Sequence, residues 1–532
     1  MIMKKWWQLV ATMLLAMALL LGGCGRSSDI APDSLRFALE QEPSTLDPAK
    51  SSTLPESDVE LAIFEGLTRL NAKDLPEPAA AESWTVSDDG MTYTFRLREG
   101  LTWSDGKPLT AHDFEYAWKR VLNPTVAASN AYMLYVIKNG EAYNTEKATA
   151  ADVGVTAIDD RTLVVQLEAP AAYFIGLTAF HAYYPVRQDI VEAHPDTWAT
   201  DAKTIVGNGP FILTKWQHNA ELDFVKNETY WDAKAVRLKS MEWPVSESQS
   251  TRLTLVEGGA ADMTTEPPVA DQQRLTKAGL FKVKPSLGTY YYVYNVTAPP
   301  FDNPKVRRAL SMVIDRKAIV DTIVHGGKIP AFAFVPPGLM NEATGQDFRH
   351  EGGNLVSKNV EKAKALLAEA GYGPGHPVPP ITILYNTNEM HKAIAEAIQA
   401  VWSNELGLDV SLQNQETKVF MANREAGHYQ VARASWIGDY ADPQTFFDVF
   451  SDPANDAQYH SEAYNALMDR VHATTDVGER MALMHEAEKM MFDESLIIPI
   501  YFTTTPYVAN EAIDGYNWSI LGTVDFKHAY RK

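Results

Sequence analysis

The stretch AESWTVSDDGMTYTFRLREGLTWSDGKPLTAHDF, residues 81–114, carries the sharpest local patterning in the chain. Trp84-Thr-Val runs into the turn formers Ser87, Asp88, Asp89 and Gly90, and Tyr93 to Leu97 then alternates with period two. Alternation on both sides of a glycine-bearing connection specifies a hairpin. Trp103 to Gly106 supplies another turn. Thr110-Ala-His-Asp113 has the form of a capping box, in which the threonine hydroxyl takes up a free amide and the acid reaches back. Phe114, Ala117, Trp118 and Val121 follow at helical spacing until Asn123-Pro124 stops the helix.

The same signals extend outward. Residues 35–39 alternate as a strand, 41–48 are turn material, and 60–70 reads as a short helix with Leu61, Phe64 and Leu67 or Thr68 on one side. Further strands are expected over 161–167, as a pair within 211–225, and over 281–297, 381–385, 410–412, 429–436 and 497–501. Helices are expected over 249–258, from Asn303-Pro304, over 316–324, 360–370, 391–406, 419–426, 461–473 and 478–492. In 281–297 Tyr290, Tyr292 and Tyr294 share one face and Tyr291 takes the other, a ladder that reads first as packing and second as a pocket wall. Strands alternating with helices argue for an α/β fold with helices covering mixed sheets.

The amino terminus has a different character. Lys4 and Lys5 precede an apolar run from Trp6 to Leu21, broken by Gln8 and Thr12, that ends in Leu21-Gly22-Gly23-Cys24. This reads as an export signal over 1–23, too short for a comfortable membrane span. Leu-Gly-Gly-Cys resembles the lipobox of bacterial lipoproteins, and acylation explains the position of Cys24 and why the chain has no other cysteine. Residues 24–34 then form a polar tether. The expected place is the bacterial cell envelope, on the periplasmic side or the outer face of the cytoplasmic membrane. Which membrane holds the anchor stays open.

About 509 residues would follow the signal, enough for two to four domains. The net charge of −21 disfavours nucleic acid and bulk anionic membrane, since both are bound through Lys and Arg. With Cys24 acylated, no disulfide, thiol nucleophile or cysteine-ligated metal site remains. The chain has no nucleophile elbow, phosphate loop or nucleotide-binding glycine fingerprint, and His485-Glu486 lacks the second histidine of a zinc protease. The expectation is a binder, not an enzyme, with no cofactor and no metal.

Residues 41–48, 81–114, 207–231, 303–319 and the segment VARASWIGDYADP (431–443) resemble the oligopeptide-binding protein family, the extracytoplasmic receptors of ABC peptide importers. The resemblance runs from about residue 35 to the end. It implies a periplasmic-binding-protein-like fold whose two lobes close on a cleft. One lobe would comprise 30–68, 188–287 and 505–532, with an inserted domain over 69–187, and the second lobe 288–504. It implies a monomeric receptor that holds peptide as an added strand and delivers it to permease subunits.

By the same resemblance, Asp439 in Trp436-Ile-Gly-Asp-Tyr440 would hold the ligand's α-ammonium between Trp436 and Tyr440. Arg433 would receive the ligand's carboxylate, His391 matches a family histidine, Glu56 a cleft glutamate and Tyr132 a tyrosine near the ligand backbone. Tyr290 stands in the strand that could wall the site. His325 falls near a family lysine that faces the ligand's C-terminus, which would make that cation titratable. Val293 replaces a family acid and Gly288 a cysteine. Alternatives within the class are dipeptides, murein peptides or a signalling peptide as ligand. Outside it stand an exported hydrolase and a structural surface lipoprotein.

Overall fold

The structure, a computed structural model, describes residues 30–451 and 455–532. The signal, Cys24 and the tether up to residue 29 lie outside the described residues.

The opening stretch builds one half of an antiparallel four-stranded sheet, in the order Ala81–Val86, Thr92–Leu97, Thr162–Gln166, Val155–Asp159. The capping box forms: Thr110 N–H donates to Asp113 Oδ2 at 2.8 Å, and the helix Ala111–Leu122 follows. Its apolar stripe of Phe114, Ala117, Trp118 and Val121 is buried, and Trp118 Nε1 donates to the Tyr183 carbonyl at 2.8 Å. Truncating a buried ring such as Trp118 costs about 3–5 kcal/mol.

A second, larger sheet runs through the rest of the chain. Its order is Val410–Gln415, Ile381–Asn386, Val431–Ile437, Phe281–Tyr294, Ile497–Ala509, Met263–Thr265, Ser34–Ala38, Ser240–Pro244, Glu221–Lys226, Phe211–Gln217, with Ile329–Pro330 added on Ile497–Ala509. Parallel and antiparallel pairs are mixed. Two long strands, Phe281–Tyr294 and Ile497–Ala509, join its halves. Phe281 to Pro285 pair with Val508 to Thr504, the register slips, and pairing resumes with Thr289 opposite Phe502. At the slip, Ser286 Oγ donates to Thr503 Oγ1 at 2.9 Å, and Leu287 N–H turns away to the Ile520 carbonyl at 2.8 Å. A Cβ on Gly288 would lie 2.5 Å from both Ile437 Cδ1 and Thr503 Oγ1, so a side chain there would have to displace one or both of them.

Apolar burial divides at this joint. One cluster gathers residues between 35 and 263 with 507–529, and two others gather residues from 287 onward on the two faces of the sheet. The tyrosine ladder is packing: Tyr290, Tyr292 and Tyr294 enter one of these clusters and Tyr291 the other.

The helix expected over 60–70 is corrected. The structure has a helix at Leu54–Ile63 and a strand at Thr68–Leu70. Thr53 caps that helix, Glu56 reaches back, and proline stands in its first turn, a start signal that outweighs the later stripe. Beyond the helix Gly66 packs on backbone: a Cβ there would lie 2.2 Å from the Thr178 carbonyl oxygen. The 316–324 segment is α-helical over Arg316–Ile319 and widens to a π turn over Val320–Val324.

Candidate functional site

Strand Val431–Ile437 lies between Ile381–Asn386 and the long strand Phe281–Tyr294, with Arg433 opposite Tyr292, Trp436 opposite Thr289 and Ile437 opposite Gly288. It ends at the joint, where Gly438 N–H donates to the Leu287 carbonyl at 2.7 Å. The following turn is fastened by a buried ion pair. Arg480 donates to both Asp442 oxygens at 2.7 Å and to Gln444 Oε1 at 2.6 Å.

This turn presents Asp439. Its amide donates to Thr445 Oγ1 at 3.3 Å, and its half-buried carboxylate accepts the Tyr132 hydroxyl at 3.2 Å. Among the described residues it has no ion-pair partner. Burial pushes its pKa above the ordinary aspartate value, against the Tyr132 hydrogen bond. Tyr132 is pushed up to about 12 by its own burial and by the Asp439 charge. The Tyr440 ring stacks on Tyr173 with centroids 4.2 Å apart, and its hydroxyl donates to Asp448 Oδ2 at 3.4 Å. Trp436 is half-buried with its indole N–H lacking an acceptor among the described residues, and Ile437 is 60% exposed. Asp439, Trp436, Tyr440 and Tyr173 line an open cavity of about 430 Å³ that also meets Asp448 and Asp456. Both of those acids already have partners, His472 at 2.8 Å and Arg424 at 3.1 Å.

Six residues before Asp439 on the same segment sits a cation. The Arg433 guanidinium lies 4.8 Å from the Tyr290 ring centroid, its Nε has no acceptor, and no carboxylate among the described residues pairs with it. Tyr290 O–H meets His391 Nδ1 at 3.1 Å. His391 is 7% exposed in the first turn of helix Glu389–Leu406, where Asn388 Oδ1 caps its amide. Burial and the Arg433 charge lower its pKa to about 4, so the ring is neutral at pH 7. The structure thus brings together Asp439, Trp436, Tyr440 and Tyr132 as one group, and Arg433, Tyr290 and His391 as another.

Two candidates stand apart. Glu56 is 1% exposed and its oxygens are occupied by the Ser44, Ser52 and Thr53 amides and the Ser44 hydroxyl. Burial raises its pKa, but these hydrogen bonds together outweigh it and hold the carboxyl below the ordinary value. It is a helix cap with no free acceptor to offer a ligand. His325 is exposed at a positive φ of 56° after the π turn, three residues before Lys328, whose Nζ donates to the Thr504 carbonyl at 2.7 Å. Tyr173 and a group of apolar residues around His181 were absent from the sequence reading. They reach Asp439 only through contacts between distant segments, and no local pattern marks them.

The family model described as bacterial extracellular solute-binding proteins, family 5 Middle, matches residues 76–458. The chain is 39% identical to the dipeptide-binding protein DppE of Bacillus subtilis (strain 168), over 92% of this chain and 90% of that one. Among solved structures, the unliganded open form of MppA, a periplasmic murein tripeptide binding protein, overlays with a TM-score of 0.86 at 34% identity, covering 94% of this chain and 98% of that one. Haemophilus influenzae OppA in complex with RPPGFSPFR overlays with 0.66 at 32% identity, covering 94% and 99%. The present arrangement is thus nearer the unliganded open form than the peptide complex. The matched model spans well over half of the residues, and the chain belongs to family 5 of the bacterial extracellular solute-binding proteins.

Proposed function

We propose that this protein is a lipid-anchored extracytoplasmic receptor that captures short peptides and delivers them to the membrane subunits of an ABC importer. The observation that carries the reading is a pair of opposite charges on one segment with no ion-pair partner among the described residues: Asp439, desolvated and without a cation, and Arg433, without a carboxylate. A half-buried charge awaiting a counterion costs free energy that a zwitterionic ligand returns. A peptide offers its ammonium at one end and its carboxylate at the other. Family membership and the peptide-binding names of the relatives agree with this chemistry.

Six residues of extended chain span at most about 20 Å, and the reach of the arginine shortens the gap. A ligand of roughly three to five residues fits it, whereas an extended dipeptide spans only about 7 Å. The lobes are 30–68 with 188–287 and 505–532, carrying the inserted domain 69–187, and 288–504. They close about the slipped register between Pro285 and Thr289. Cys24 carries the lipid and the receptor works as a monomer without catalysis. No helix among the described residues is long and apolar enough to cross a membrane.

Native mass spectrometry of the protein purified from cells, with release and sequencing of bound material, tests the reading. Copurified peptides of three to five residues are expected. Absence of any bound peptide, together with no calorimetric binding of free tetrapeptides, overturns it.

A further inference from the structure

A second, narrower cavity of about 100 Å³ shares Asp439 as part of its wall. It is enclosed by helix Leu54–Ile63, the segment after helix Phe174–Leu177, the C-terminal residues 517–525 and the turn 439–441. Leu54, Leu61, Leu177, Ala179, Phe180 and Leu521 make its surface mainly apolar.

The charged groups on this wall are spoken for, except Asp439. Arg69 donates to both oxygens of Asp525 at 2.7 and 2.8 Å and to the Leu61 carbonyl at 3.0 Å. His181 is buried, and its pKa is lowered to about 4 by that burial. Asn130 Nδ2 donates to His181 Nε2 at 3.0 Å, which leaves Nδ1–H to donate to Ser57 Oγ at 3.3 Å. That network fixes a neutral ring. A side chain entering the cavity meets hydrocarbon and self-satisfied polar groups, and the one charge on its wall without an ion-pair partner among the described residues is the one assigned to the ligand ammonium.

We propose that this cavity receives the first side chain of the captured peptide and selects it to be aliphatic, of leucine, isoleucine or valine size. The inference rests on the proposed role of Asp439 as the ammonium anchor, because the first side chain leaves the carbon that bears the ammonium. A lysine or arginine there loses its hydration without gaining a carboxylate, and an acidic residue is brought against Asp439. The open cavity on the other side of Asp439 has the opposite character, with Asp448 and Asp456 on its wall, and is the competing destination.

The test is titration calorimetry of the full chain with tetrapeptides X-Ala-Ala-Ala, where X is Leu, Ala, Lys or Glu, and with N-acetyl-Leu-Ala-Ala-Ala. Each added methylene in a fitted apolar pocket is worth roughly tenfold or more. The Leu peptide is expected to bind at least about tenfold tighter than the Ala peptide, with Lys and Glu weaker than Ala. The variant Leu54→Glu places a carboxylate on the wall at an exposed first-turn position, where a negative charge suits the helix end and the fold is kept. It should raise the Lys peptide relative to the Leu peptide by tenfold or more. A Lys peptide that binds the unmodified protein as tightly as the Leu peptide, or a Lys-to-Leu ratio unmoved by Leu54→Glu, overturns the inference while the receptor reading stands. Equal binding of the acetylated and free Leu peptides, or no binding of any peptide, removes the ammonium anchor and the inference with it.

Discussion

Replacing Asp439 by asparagine keeps the shape of the side chain and an acceptor for the Tyr132 hydroxyl but removes the charge. An ammonium about 3 Å from a carboxylate at an effective dielectric of about 20 gains roughly 5 kcal/mol before desolvation. Leaving one partner of such a pair unmatched costs about 2–5 kcal/mol, roughly 30-fold to several thousand-fold in Kd. The half-buried setting of Asp439 places the expected loss inside that range for peptides with a free amino terminus. The ligand-free protein should respond in the other direction. Burial raises the Asp439 pKa, so the folded state holds its proton more tightly than the unfolded state. The ionised carboxylate therefore lowers stability as pH rises past the ordinary aspartate value, and Asp439→Asn should melt at the same or a higher temperature at pH 7. Calorimetry with free and N-acetylated tetrapeptides, paired with thermal melts, reads both effects. A Kd within threefold of the unmodified protein, or equal losses for free and acetylated peptides, would refute the reasoning.

Arg433→Met should weaken peptides with a free carboxylate by about 1.5–3 kcal/mol and leave C-terminally amidated ones nearly unchanged, as competition binding can show. Asp442→Asn strands Arg480 in the interior, and chemical denaturation should register a loss of about 3–5 kcal/mol together with weaker peptide capture from a loosened 439–445 turn. His181 is buried and neutral, with a pKa lowered to about 4, so the unfolded state binds its proton first. Its contribution is present above pH 6.5 and lost as pH falls towards 4, worth at most roughly 3 kcal/mol, and His181→Gln should flatten that part of the stability profile. Gly288→Val drives a side chain into Ile437 and Thr503, costs about 1–3 kcal/mol, and should diminish the peptide-induced compaction seen by small-angle scattering.

Local chemistry was legible and distant chemistry was not. The 92–97 strand, the Thr110–Asp113 capping box and the helices ended by Gly371 and Gly407 follow from neighbours in sequence, and the structure has them. The apolar stripe over 60–70 misleads because the capping box of Thr53 and Glu56 starts the helix earlier and it ends at Ile63. Trp436, Asp439 and Tyr440 stood together in a short segment, and they line one cavity. Arg433 and His391 were singled out through resemblance, since nothing in a strand arginine or a first-turn histidine shows that Tyr290 will join them. Contacts such as Tyr132 with Asp439, 307 residues apart, or Arg69 with Asp525, 456 apart, depend on how whole segments pack and leave no trace in periodicity.

The slipped register between the two long strands bears on how sensitively the receptor answers its ligand. At that point the ladder already lacks amide pairing, and hydroxyls of Ser286 and Thr503 span the gap. Bending there breaks no pairing between the two long strands and loads mainly the Leu287 contacts to Ile520 and Gly438, so the open and closed arrangements are expected to differ by only a few kcal/mol. An equilibrium that shallow is shifted from almost fully open to almost fully closed by about 5.5 kcal/mol of differential binding. Two terminal charges finding their counterions supply free energy on that scale. If the lobes bend at this joint, it is expected to act as a low threshold that a zwitterion of the right length crosses and a ligand engaging one end alone does not.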